Sequence, residues 1–220
     1  MHRVLTTSLV VLTAGLFSAC HAAPNGEKLP VQLDGVPSNH SVATFAGGCF
    51  WCMEAPFDKL PGVISTVSGY TDGYVDKPTY KDVSYGRTGH TEAVRIIFDP
   101  TKISFEQLLR VFWKNIDPTA KDRQFCDAGT QYRSGVYFHG EKQRQATQES
   151  IAWAQRSMKV SGPIHTEIKA ATRFYPAESY HQDYYKKNPS HYRRYRQGCG
   201  RDARLKTIWG PLLETQTPSK

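Results

Sequence analysis

The chain has 220 residues, a formal charge of +8, and 39% hydrophobic and 12% aromatic content. This composition supplies one full core and excludes a disordered or membrane-embedded chain. Positive charge is spread along the sequence, and the densest basic stretch, Tyr-Arg-Arg-Tyr-Arg at residues 192–196, reads as a solvated face rather than a nucleic-acid surface.

Arg3 precedes an uncharged apolar run, residues 4–19, followed by small residues and Pro24, which reads as an export signal over residues 1–23. Cys20 supports two readings: lipidation after Leu-Phe-Ser-Ala, where Phe17 departs from a lipoprotein box, or ordinary cleavage near Ala22-Ala23. Either puts the mature protein outside the cytoplasm, in the periplasm, as a soluble protein or a membrane-tethered lipoprotein. Residues 24–39 read as a tether, 40–210 as the single domain and 211–220 as a tail.

In the domain, residues 41–46 predict a buried strand, Gly47-Gly48 a tight turn, and 50–60 a helix ending before Pro61. Residues 62–70 predict a strand, 71–91 a long loop, and 92–98 an alternating strand. Residues 104–113 read as an amphipathic helix and 114–133 as another loop. Then come a strand (135–139), a helix (141–159), a strand (166–173) and a last helix (176–188) stopped by Pro189. The remainder has too little periodicity for an element. Strands and helices interleave irregularly, which predicts an α+β fold.

The Gly-Gly turn presents Cys49 at a helix start, where a thiolate is favoured; a small buried cysteine closing the turn is the structural alternative. Cys49-Phe50-Trp51-Cys52 has C-x-x-C spacing, but Cys126 and Cys199 stand singly and do not complete a zinc site. Two bulky aromatics inside the motif depart from a thioredoxin-like dithiol. Phe50 and Trp51 instead suit a wall against a methyl or thioether group, with plain core packing as the alternative. Alternation puts Glu92 on one strand face with Val94, Ile96 and Phe98. Partial desolvation there raises a carboxyl's pKa toward general-acid use; a solvated strand end is the alternative.

Gly-Gly-Cys-Phe-Trp, with Gly-His-Thr-Glu-Ala-Val-Arg-Ile at 89–96, resembles the A-type peptide methionine sulfoxide reductases. The resemblance extends through Pro78-Thr79-Tyr80, Gly-Thr-Gln-Tyr-Arg-Ser at 129–134, and Tyr-Pro-Ala-Glu at 175–178 leading to His181-Gln182, covering residues 40–210. It implies a ferredoxin-like α/β sandwich core and reduction of methionine S-sulfoxide in peptides and proteins, without a metal or cofactor. Cys49 would be the nucleophile, Phe50 and Trp51 would hold the substrate methyl, and Glu92 would protonate the sulfoxide oxygen. Tyr80 and Tyr132 would donate hydrogen bonds, and Asp127 would support the site.

Attack by Cys49 leaves a sulfenic acid, which a second thiol must resolve. Cys199, between two glycines in a segment without predicted structure, is the expected resolver, with Arg193, Arg194, Arg196 and Arg201 nearby to favour its thiolate. No cysteine follows it to extend a relay; Cys52 and Cys126 are the competing resolvers, though both read as buried. Expected partners are oxidised proteins and peptides and a thioredoxin or thioredoxin-like exported reductant, with the enzyme acting as a monomer. The rival readings are an exported binding protein with an aromatic pocket, and a Cys-His hydrolase pairing Cys49 with His181 or His90.

Overall fold

Residues 36–216 are described by this computed structural model. In chain order they form β1 (Ser41–Gly47), α1 (Phe50–Asp58), β2 (Val63–Thr71), α2 (Tyr80–Ser84), β3 (Thr91–Phe98) and α3 (Phe105–Lys114). A short hairpin of β4 (Arg123–Gln124) and β5 (Asp127–Ala128) leads to a 3-10 turn at Thr130–Tyr132 and then to β6 (Ser134–Phe138). The chain continues through α4 (Glu141–Ser157), β7 (Glu167–Ala170), β8 (Tyr175–Pro176), α5 (Tyr184–Lys187), α6 (Pro189–Gly198) and α7 (Arg201–Trp209). The export signal, Cys20, tether residues 24–35 and the end of the tail lie outside the described residues. Among the described residues, no helix is long and apolar enough to cross a membrane.

The main sheet runs β7-β6-β1-β3-β2-β8. Its four inner strands are mutually antiparallel. With α1 and α3 between them they make the β-α-β-β-α-β order of a ferredoxin-like core. β7 extends one side parallel to β6, and β8 closes the other, antiparallel to β2.

Strand alternation sets the two faces. Ala43 and Phe45 of β1, and Val94, Ile96 and Phe98 of β3, join the helix side chains in the large core. Phe45 stacks on Phe57, Phe105 and Phe112 at centroid distances of 5.4, 5.9 and 5.0 Å. The opposite face is smaller, with Ala46, Ala93 and Tyr137 under Ala171 and Phe174.

The expected helix over 176–188 is replaced by turns and the short α5. Side chains compete for this backbone: Gln182 donates to Ser68 O and Ala177 O (2.9 and 2.8 Å) and accepts from Ser68 N (2.9 Å), while Asp183 N donates to Glu54 Oε2 (3.0 Å). Asp183 takes a φ of 54°. Pro189 opens α6 at its first turn, where its missing N–H costs nothing. The segment after it, read as irregular, is helical in α6 and α7.

Candidate active site

Cys49 is the N-cap of α1 and follows Gly48, which has a φ of 80°. A Cβ on Gly48 would lie 2.5 Å from Gln124 Cβ. The left-handed turn and the β4 contact both require glycine, and together they aim the Cys49 side chain across the helix start. Gly48→Ala should therefore destabilise the fold by about 2–3 kcal/mol and lower activity, checked by urea unfolding and by initial rates; an unchanged midpoint overturns the assignment.

Cys49 and Cys52 are free thiols, 6% and 1% exposed, and are hydrogen-bonded through their sulfurs. They share one proton. The hydrogen bond from Cys49 brings Cys52 down to about 6 against the effect of burial, with Arg201 and Arg196 assisting. Burial pushes Cys49 well above the ordinary thiol value, and Cys52 and Glu92 add to the rise. A second ionisation of the pair is thereby suppressed. Moving the shared proton to Cys52 leaves Cys49 as the thiolate.

Glu92 is 2% exposed on the core face of β3, and its Oε2 accepts from Phe50 N at 3.0 Å. Burial lifts its carboxyl to about 8; the bond from Phe50 opposes this, and Asp127 and Cys52 reinforce it. At neutral pH the group is a carboxylic acid with a proton to give, next to the residue that follows Cys49.

Tyr80 and Tyr132 are brought to Glu92 from separate loops. Tyr80 begins α2, behind a capping box made by Thr79 and Asp82. Its backbone N–H donates to Glu178 Oε1 at 2.8 Å, and Glu178 Oε2 takes the Tyr70 hydroxyl at 2.9 Å. Tyr132 is placed by Arg133, which donates to Asp72 Oδ2, Glu167 Oε2, Thr130 O and Gly89 O at 2.9, 2.9, 2.8 and 3.1 Å. Burial, then Glu92, raises both phenols, Tyr80 to about 12. Each stays a neutral donor.

Phe50 and Trp51 form one side of an aromatic box. Trp51 stacks on Tyr184 at 3.8 Å and 7°, meets Tyr195 edge-on at 5.6 Å, and donates from Nε1 to His181 Nδ1 at 3.0 Å. His181 packs against Phe50 and Tyr80 at 5.0 and 4.3 Å. Its Nε2 is buried without a partner.

The Tyr195 hydroxyl donates to Asp127 Oδ2 at 2.6 Å and lies within hydrogen-bonding reach of Cys49. Sequence reasoning missed Tyr184 and Tyr195, and it placed Arg201 beside Cys199 rather than by Cys52. The tyrosines repeat along the last helices without an apolar stripe to single them out.

Among the described residues, neither His181 nor His90 is hydrogen-bonded to Cys49. Trp51 occupies His181 Nδ1, while His90 accepts from Gly73 N at 3.1 Å and bonds Val75 O at 2.8 Å. The Cys-His pair that a hydrolase needs is therefore not formed in this structure.

Cys199 differs from expectation. It caps the C-terminus of α6 and is joined here to Cys126, with Cα atoms 4.8 Å apart, a pairing the sequence did not suggest. Cys126, read as buried, is exposed on the β4–β5 turn. Cys52 is buried as expected, and it is the thiol in contact with Cys49.

A family model described as peptide methionine sulfoxide reductase matches residues 41–212. Peptide methionine sulfoxide reductase MsrA of Bacillus licheniformis is 49% identical over 175 residues, covering 80% of this chain and 97% of its own. The MsrA/MsrB protein of Vibrio cholerae is 42% identical over 203 residues, 92% of this chain and 52% of its own. Two crystal structures are similar in fold. Methionine sulfoxide reductase A of Corynebacterium diphtheriae has a TM-score of 0.65 and 36% identity, covering 70% of this chain and 77% of its own. Reduced Mxr1 of Saccharomyces cerevisiae has a TM-score of 0.66 and 32% identity, covering 70% and 88%.

Proposed function

The chain belongs to the A-type peptide methionine sulfoxide reductases and reduces methionine S-sulfoxide, and from that premise we propose how its own residues divide the reaction. The observation that carries the reading is the buried, proton-bearing Glu92 hydrogen-bonded to Phe50 beside the Cys49–Cys52 pair. The substrate methyl enters the box of Phe50 and Trp51 by dispersion and sulfur–aromatic contact. Tyr80 and Tyr132 donate to the sulfoxide oxygen. Cys49 thiolate attacks the sulfoxide sulfur, Glu92 delivers its proton to oxygen, and methionine leaves with Cys49 as sulfenic acid. Asp127 holds Tyr195 against the thiol.

Cys52 replaces Cys199 as the resolving thiol in this reading. Its sulfur attacks the Cys49 sulfenic sulfur, forming the Cys49–Cys52 disulfide, and the leaving hydroxide takes a proton to become water. The new disulfide is buried, whereas Cys126 is exposed, which supports a second exchange: Cys126 and Cys199 as thiols reduce Cys49–Cys52 and become the disulfide in which they stand. A thioredoxin-like dithiol then reduces Cys126–Cys199. The apolar run after Arg3 supports export, which makes that reductant an exported protein.

The test offers the mature protein a peptide carrying each sulfoxide epimer, with dithiothreitol or thioredoxin as reductant. Only the S epimer should be reduced. Cys126→Ser and Cys199→Ser should each keep the dithiothreitol-driven rate and lose at least about tenfold of the thioredoxin-driven one. Equal thioredoxin rates in these variants and the unaltered protein remove the second pair from the cycle.

A further inference from the structure

Arg201 is 1% exposed at the first turn of α7, beneath the start of α1. Its Nη2 donates to Gly47 O at 3.1 Å, Asn115 O at 2.7 Å and Met53 Sδ at 3.1 Å, so the guanidinium is bracketed by the residues on either side of Cys49 and Cys52. A Cβ on Gly48 would stand 3.8 Å from its Nη1. Phe125 covers its face at 4.3 Å. Its Nε is buried and unpartnered, and among the described residues no carboxylate lies within ion-pair distance of it.

A buried guanidinium held only by carbonyls and a thioether is an expensive charge to keep unless an anion is supplied nearby. The other arginine facing the pair, Arg196, is already bound by Asp202 in a fork, with Nε at 2.9 and 3.1 Å from its two oxygens. Arg201 is the cation left over.

We propose that Arg201 is the counter-ion of the single negative charge shared by Cys49 and Cys52, a positioning residue that keeps one of the two buried sulfurs a thiolate for attack and for resolution. The proposal rests on the reading of these cysteines as the reacting pair. The groups facing the pair comprise Glu92 on β3, Asp127 on β5, the phenols of Tyr80, Tyr132, Tyr192 and Tyr195, and the two arginines. The carboxyl groups oppose a thiolate where they are ionised. Arg196 and Arg201 favour it, and only Arg201 lacks an ion-pair partner of its own.

The test follows thiolate absorbance near 240 nm against pH in the full chain with Cys126–Cys199 intact. Arg201→Met should raise the midpoint by about one pH unit, a tenfold loss of thiolate at fixed pH, and Arg201→Lys should restore most of it. In the unaltered protein, the Arg201 Nε nitrogen resonance should titrate with the same midpoint, a readout that survives if the variants fold poorly. An Arg201 resonance that stays still while the thiolate titrates, or a folded Arg201→Met with an unchanged midpoint, overturns the proposal. Peptide mapping of the Cys49–Cys52 disulfide tests the underlying reading separately, because the titration is seen whether or not that bond forms.

Discussion

Cys49→Ser should abolish methionine formation, whereas Cys52→Ser should keep the first turnover and lose the ones that follow. The two sulfurs touch and share a proton, yet their tasks differ: one must meet the sulfoxide and the other must meet the sulfenic acid. Without added reductant, the protein with Cys126 and Cys199 joined should release one methionine per chain, and with all four thiols reduced it should release two. Cys52→Ser should release one and hold Cys49 as a sulfenic acid that dimedone captures. Quantifying methionine and mapping the labelled peptide decide the matter. Repeated turnover by Cys52→Ser at the full rate returns the resolving role to another cysteine.

Glu92→Gln should lower kcat/KM by about 10²–10⁴, the range of a positioned general acid. The amide fits the same space and still accepts from Phe50 N, so the loss is that of a proton. The pH profile carries the sign. Below about 6 the Cys49–Cys52 pair is neutral and there is no nucleophile; above about 8 Glu92 is a carboxylate and has no proton to give. The rate should rise through the first value and fall through the second, and Glu92→Gln should erase the alkaline limb while leaving the acid one.

The same substitution acts oppositely on stability. A carboxyl whose pKa is raised by folding contributes fully below its unfolded value near 4.5 and loses that contribution as pH climbs through about 8. At pH 9, Glu92→Gln should then be more stable than the unaltered protein by on the order of 2–4 kcal/mol, read from urea unfolding. An alkaline limb that persists in the variant assigns the proton elsewhere.

The sheet and its helices were legible because periodicity and burial agree there: Phe45, Val94, Ile96 and Phe98 alternate toward the helices, and α3 begins at a Ser104 capping box. Glu92 was legible for the same reason, as a charge in register with an apolar face. The final third was not. α6 has no buried residue and so no apolar stripe, and the Gln182 bonds to Ser68 and the Asp183 bond to Glu54 that help unwind the expected helix reach residues over a hundred positions away. The Cys126–Cys199 pairing was equally hidden, since spacing does not choose among cysteine partners. Arg201 reads from the sequence as a neighbour of Cys199; only its placement under Gly47 and Met53 reveals a buried charge by the other pair.

The cross-link between Cys126 and Cys199 closes a ring spanning 73 positions, and that ring contains Tyr132, His181, Tyr184 and Tyr195. Removing a closure of that length releases roughly 4 kcal/mol of unfolded-state entropy. An enzyme starved of oxidised substrate but supplied with reductant is therefore a softer protein than one at work, and heat or protease tolerance becomes a gauge of how fully it is charged with electrons.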